Sequence, residues 1–302
     1  MNGSESFAVA THALSMRYRN QAALTAVDLR VPEGAVYVLI GANGAGKSSM
    51  MKALLNLERP HEGRAEVFGL DTVSDGPRVR AQVGYMPESH EHDYKWLTCE
   101  RLMQYVAAHY PSWDHAYATH LAGIFGVRPE RRIGTLSKGE SRRLQFVLAL
   151  AHRPRLLLLD EPTDGLDPMV RNRTLAQLAE HLADTPTTVV ISTHHIHEVE
   201  SLADHVGVLS AGRLVAQMSR DDLRRTVRRY RVEVPEGWQA PPELRTPTLR
   251  RSRGGREVQW TLIGEERDVT ARLTAAGATV RDVTPLALED AALAFLAEEV
   301  AP

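Results

Sequence analysis

Residues 41–49 read Gly-Ala-Asn-Gly-Ala-Gly-Lys-Ser-Ser, and no other stretch restricts the fold so tightly. Glycines at 41, 44 and 46 let the backbone curl its N–H groups inward, and Lys47 and Ser48 follow that curl directly. The run before it, Val36-Tyr37-Val38-Leu39-Ile40, suits a buried parallel strand. Ser48 to Leu57 has helix-forming composition and apolar residues at helical spacing. Strand, glycine loop and helix together cradle phosphate, because N–H groups and a helix N-terminus meet the anion. Lys47 then reaches the β- and γ-phosphates, and the Ser48 hydroxyl ligates Mg²⁺. Gly41, Ala42, Asn43, Gly44, Ala45, Gly46, Lys47, Ser48 and Ser49 are therefore expected to hold ATP.

The remaining chain reads as three regions. Residues 1–217 alternate strand-like runs with helical stretches, the pattern of an α/β core. Leu156–Leu159 and Thr188–Ile191 join Val36–Ile40 as its strands. Residues 92–150 are mostly helical and read as an inserted subdomain. Residues 218–302 read as a small α+β domain: a helix start at Ser219, strand Glu257–Ile263, helix Glu266–Ala276, strand Thr279–Val283 and helix Leu286–Glu299. Pro235, Pro241, Pro242 and Pro247 interrupt regular structure, and Gly254-Gly255 suits a hairpin turn. The net charge of −2 gives no field that would draw nucleic acid. Cys99 is the single cysteine, so no internal disulfide forms, and it reads as a small buried or half-buried residue. No apolar run approaches the ~20 residues that span a bilayer, and no signal segment opens the chain.

A second acid-bearing motif follows. Leu156-Leu157-Leu158-Leu159-Asp160-Glu161-Pro162 is an apolar strand ending in carboxylates, at the edge where open α/β sheets bind ligands. Asp160 is expected to hold Mg²⁺ by way of water, and Glu161 to polarise an attacking water. Leu136-Ser137-Lys138-Gly139-Glu140 lies ahead of it, and a Ser hydroxyl with a Gly N–H at a helix start forms an anion site. With the helix Arg142–Ala151 behind it, this segment resembles the signature of the ATP-binding-cassette (ABC) ATPases, specifically bacterial exporter-type subunits. The resemblance spans residues 7–217, and more loosely the tail through Pro285–Ala291.

That resemblance implies further roles. The fold would be a P-loop (RecA-like) core with an antiparallel β subdomain, the helical insertion and the C-terminal α+β domain. Tyr18 would stack on adenine, and His194, after Ser192-Thr193, would contact the γ-phosphate. Ser137, Lys138 and Gly139 would cap the γ-phosphate held by another subunit, and Gly165-Leu166-Asp167 would cross between subunits. Four positions depart from the family pattern. Glu88 stands for the usual Mg²⁺-sensing Gln and is kept as a metal candidate with Ser48 and Asp160. Asp164 stands for Ser, Lys138 for Gly and Glu140 for Gln. Lys138 either faces the phosphate or points to solvent. His195 and His197 read as a polar helix entrance in preference to a metal site. Arg224, Arg225, Arg228, Arg229 and Arg231 read as a solvated helix face in preference to a contact with lipid headgroups or a partner.

The implied protein is a transport-coupled ATPase, a dimer with itself or a homologous subunit, attached to separate transmembrane permease subunits at the cytoplasmic face of the cell membrane. The rival is a soluble ABC ATPase acting on ribosomes or DNA. Ribosomal versions usually carry two cassettes, and DNA-repair versions split the cassette with coiled coils; here one phosphate loop is present and the motifs lie close together. A nucleotide-sensing subunit without hydrolysis is disfavoured by Glu161 and His194.

Overall fold

Val36–Ile40, Leu156–Asp160 and Thr188–Thr193 bury every residue along their length. Strands without a polar face must be covered on both sides, which is the condition of a central parallel sheet. Thr188–Thr193 pairs in parallel with Val36–Ile40 on one side and with Leu156–Asp160 on the other; Val83–Met86 runs parallel beyond Leu156–Asp160. The register sets Ile40 level with Thr193, and Asp160 level with Ser192. The C-terminal strand ends therefore open along one edge.

The computed structural model describes residues 6–19, 21–89, 94–238, 248–254 and 256–297. They form two compact units. The first reaches Ala203 and takes in Leu209–Leu214; the second comprises Asp204–Val208 and the chain from Val215. In the first unit, Phe7–Tyr18 pairs antiparallel with Gln21–Val27, Arg30–Pro32 and Glu62–Val67. This is the antiparallel subdomain, and its Val9, Leu14, Met16 and Leu24 share one core with Tyr37, Met50, Met51 and Leu54. The helix after the phosphate loop spans Lys47–Leu54, shorter than the expected run to Leu57. Asn56 turns left-handed at φ 51° and Leu57 is 57% exposed, so no burial extends the helix.

The helical insertion contains Cys99–Ala107, His115–Ile124 and Lys138–Leu150, capped by Thr98, Asp114 and Ser137. Its expected start at residue 92 lies outside the described residues. Cys99 is buried with Leu102, Ile133 and Leu144, and burial pushes its thiol pKa up.

The second unit is a four-stranded antiparallel sheet in the order Thr248–Gly254, Glu257–Ile263, Val227–Glu233, Thr279–Pro285. Tyr230, Val232, Val258 and Trp260 form its core with Val269 and Leu273 of helix Glu266–Ala275. Gly254 pairs with Glu257 across the expected hairpin, while Gly255, Pro241, Pro242 and Pro247 lie outside the described residues. The closing helix runs Leu288–Ala297, so it starts two residues later than the expected Leu286, and residues 298–299 of the expected stretch also lie outside the described residues. The arginine cluster is not one helix face. Arg224 and Arg225 belong to helix Arg220–Thr226, but Arg228, Arg229 and Arg231 sit in strand Val227–Glu233, because Val227, Tyr230 and Val232 bury as a strand. Arg225, Arg228, Arg229 and Arg231 pair with Glu265, Glu266, Asp290 and Glu257.

His152 is buried at 1% exposure, its Nε2 donates to the Val83 carbonyl at 3.2 Å, and its ring stacks on Tyr110. Burial lowers its pKa to about 4. The unfolded chain therefore binds a proton that the folded chain refuses as pH falls from about 6.5 towards 4, and stability falls with it. Wild type should lose about 2 kcal/mol more than His152→Gln between pH 7 and pH 5 in urea unfolding, because Gln keeps a donor for Val83 without titrating.

Candidate nucleotide-binding site

The loop after strand Val36–Ile40 is shaped by contacts that leave no room for side chains. Gly46, at φ 106°, precedes the helix, and a Cβ there would collide with the Ala23 carbonyl and stand 2.8 Å from Leu24 Cδ2. A Cβ on Gly41 would collide with the Leu209 carbonyl. Ala45 N–H donates to Ala42 at 3.0 Å and Gly212 N–H donates to Ala45 at 3.0 Å, so the loop is braced from both sides.

Lys47 and Glu161 meet at the floor of this loop, each 6% exposed. Lys47 Nζ donates to the carbonyls of Gly41 at 2.7 Å and Ala42 at 3.3 Å, and lies 3.2 Å from Glu161 Oε1. His194 Nδ1 stands 3.0 Å from the same oxygen, and the His194 N–H donates to Glu161 Oε2 at 3.4 Å. Three adjacent strand ends thus converge on one carboxylate. Ser192 fixes both acids: its hydroxyl donates to buried Asp160, and its carbonyl accepts from Glu161 N–H at 3.0 Å.

A cleft of about 270 Å³ opens above, lined by Tyr18, Asn43, Gly44, Gly46, Lys47, Ser48, Ser49, Glu88 and Glu161. Tyr18 is 41% exposed; its hydroxyl donates to Glu58 and accepts from Ser49 Oγ at 3.3 Å. Mg²⁺ takes one or two carboxylates with hydroxyl, water and phosphate oxygens in preference to an all-protein cage. The hard oxygens of Ser48 and Glu88 in the lining fit that requirement, and the carboxylate of buried Asp160 stands at the end of the strand that leads into Glu161. His195 caps the short helix Ile196–Val199, and its N–H donates to Thr193 Oγ1 at 2.9 Å.

The other candidates lie outside the cleft lining. Ser137 and Glu140 form a capping box: Ser137 Oγ accepts from Glu140 N–H at 3.2 Å and Glu140 accepts from Ser137 N–H at 2.9 Å. The Ser137 N–H, and then Arg128, pull the Glu140 carboxyl pKa down to about 2. Asp167 caps helix Pro168–Asp184, accepting from Met169 and Val170 N–H at 3.1 Å each. Lys138 neither faces its own chain's cleft nor ends in open solvent; its Nζ pairs with Asp164 Oδ2 at 3.0 Å.

Sequence reasoning missed Arg142 and Gln145. Arg142 is fully buried and its guanidinium donates to the carbonyls of Pro87, at 2.7 Å, and of Glu88; Gln145 Nε2 donates to Ser89 at 2.8 Å. These two residues, three apart on one helix face, pin the segment that carries Glu88. The available signal was an Arg and a Gln among Leu144, Phe146 and Val147, all buried. An arginine on such a face must find acceptors.

A family model described as "ABC transporter" matches residues 24–164. The daunorubicin/doxorubicin resistance ATP-binding protein DrrA of Streptomyces peucetius is 35% identical over 228 residues, covering 74% of this chain and 69% of DrrA. The bacitracin transport ATP-binding protein BcrA of Enterococcus faecalis is 30% identical over 234 residues, 76% of each chain. The solved structure of an ATP-binding subunit of an ABC transporter superposes with a TM-score of 0.65 at 30% identity, over 72% of this chain and 92% of that one.

Arg142→Met leaves buried carbonyls without donors and should cost about 2–3 kcal/mol in urea unfolding. Arg143→Met, whose half-buried side chain makes one 3.3 Å bond to Gly139, should cost under about 1 kcal/mol.

Proposed function

We propose, because this chain belongs to the ABC transporter family as an ATP-binding, ATP-hydrolysing subunit, that it energises export of a small molecule through separate membrane subunits. The observation that carries the hydrolytic part is the convergence of Lys47, His194 and Glu161 on one oxygen beside the phosphate loop. The direction of transport rests on relatives named for drug resistance and bacitracin transport. No described helix is long and apolar enough to cross a membrane. In this reading the subunit works at the inner membrane face, attached to its permease, as the relatives named for transport suggest. Exposed Tyr94, Trp96 and Tyr105, with the pinned segment at Glu88, offer an apolar face for that attachment.

The loop N–H groups and Lys47 bind the ATP phosphates, and Tyr18 stacks on adenine. Ser48, Glu88 and Asp160 would hold Mg²⁺, which supplies neutralising charge to the β- and γ-phosphates. Glu161 accepts a proton from the attacking water as its oxygen bonds to the γ-phosphorus; the bond from that phosphorus to the β-phosphate oxygen breaks. His194 orients Glu161 through the 3.0 Å contact and faces the γ-phosphate.

ABC cassettes dimerise and associate with membrane subunits. In this reading Ser137, Lys138 and Gly139, which lie outside the lining of their own cleft, cap the nucleotide of a second copy, and Asp167 lies at the crossing between copies. The domain division follows the same reading, with residues 1–217 as the ATPase and 218–302 as an accessory domain.

Glu161→Gln should keep ATP binding and lower turnover by roughly 10²–10⁴-fold, the usual scale for loss of a general base. Unchanged turnover of purified protein would remove Glu161 from this role. Lys47→Ala should weaken ATP far more than adenosine in calorimetry with Mg²⁺; equal loss would indicate damage to the fold.

For the shared site, mixing Ser137→Arg chains with Lys47→Ala chains yields heterodimers with one intact composite site. Partial recovery of ATPase activity is expected. No recovery from confirmed heterodimers, together with failure of a Ser137→Cys, Ser49→Cys crosslink in a Cys99→Ser background, would reject site sharing.

A further inference from the structure

Two of the family departures touch one another. Lys138, in place of a signature glycine, reaches Asp164, in place of a serine, with Nζ 3.0 Å from Oδ2. The lysine stem lies across Gly165, at φ 71°, where any Cβ would collide with the lysine side chain. Buried Leu166 packs under Gly139, whose added Cβ would meet Leu166 Cδ2 at 3.5 Å. The N-terminal turn of helix Lys138–Leu150 is thus tied to Asp164 through Lys138, whose stem covers Gly165, and Gly139 faces Leu166. That loop is a tight turn from Glu161: Asp164 N–H donates to the Glu161 carbonyl and Leu166 N–H to Thr163, each at 3.1 Å.

The pair is a poor device for holding the fold together. Its side chains are 37% and 42% exposed, and ion pairs that water reaches so freely add little stability. Its charges are dependable nonetheless, since the hydrogen bond from Lys138 holds the Asp164 carboxyl below the usual range. Its two ends belong to segments with different duties. One is a helix start with N–H groups and an ammonium, suited to a phosphate. The other begins at the carboxylate that meets Lys47.

We propose that the Lys138–Asp164 pair is a positioning link, through which a nucleotide phosphate of a second copy, read at Ser137–Gly139, sets the placement of Glu161 towards the chain's own nucleotide. This rests on the shared-site reading given above. An incoming terminal phosphate draws on the Lys138 ammonium, the pull passes to Asp164, and the turn carries it three residues back to Glu161.

The test compares wild type with Lys138→Met, Asp164→Asn, the double variant, the conservative change Lys138→Arg, and Ser137→Arg as the control for the shared site. Turnover, KM, ATP affinity by calorimetry and thermal midpoint are measured on the full chain. Lys138→Met and Asp164→Asn should each lower kcat roughly five- to tenfold, the scale of one coupling contact, with ATP affinity within about twofold and the midpoint within about 2 °C. The double variant should be no worse than either of these, and Lys138→Arg, which keeps a cation for both the phosphate and Asp164, should retain most of the turnover. Losses that multiply in the double variant would mean that Lys138 and Asp164 act separately and would overturn the link. Unchanged kcat in Lys138→Met and Asp164→Asn beside a collapse in Ser137→Arg would overturn the link and leave the shared site standing. Unchanged turnover in Ser137→Arg would overturn the shared site, and the link with it.

Discussion

An ammonium and a carboxylate, both withdrawn from water, meet at the floor of the cleft. Burial of each charge costs several kcal/mol in effective terms, so such a pair favours a fold in which the remaining donors and acceptors are met. Lys47 meets that condition with two loop carbonyls, whereas Glu161 meets it only in part: Oε2 accepts from the His194 N–H, and Oε1 faces Lys47 and the His194 ring without a hydrogen bond. Those partners arise from three neighbouring strands, and only a parallel register brings their ends level. Strand order and the loop, which the close approaches of Ala23 and Leu209 keep free of side chains at Gly46 and Gly41, serve this one electrostatic demand together.

What could be read from the chain beforehand follows a simple physical division. The phosphate loop, the acids at 160 and 161 and the capped turn at 137 are contiguous stretches, where spacing along the sequence is spacing in space. The α/β core with its antiparallel and helical additions was legible for the same reason, since apolar runs and capping residues act locally. Contacts made across the fold were not legible. Lys138 and Asp164 lie 26 residues apart, and Arg142 reaches carbonyls 54 and 55 residues away. Element ends moved too, because burial and not propensity decided them: Leu57 found no core, and Tyr230 and Val232 pulled part of the arginine cluster into a strand.

The two faces of helix Lys138–Leu150 divide its labour. Its start is fastened to the turn from Glu161, while Arg142 and Gln145 hold the segment of Glu88. Glu88 and Glu161 both line the cleft, so one rigid element bears on both of its acidic walls. A displacement of this helix would be felt at the metal candidate and at the proposed base together.

Glu161 adopts φ 46°, a left-handed conformation that residues with a Cβ enter at a cost. The bonds to Ser192 hold it there. At this position backbone ease and the buried ion pair pull in opposite directions. Glycine would relieve the backbone but strand the Lys47 ammonium in a dry site without its carboxylate, and the proposed chemistry would go with it. A lineage released from the need to transport would therefore have to change Lys47 along with Glu161 before the cassette became both relaxed and silent.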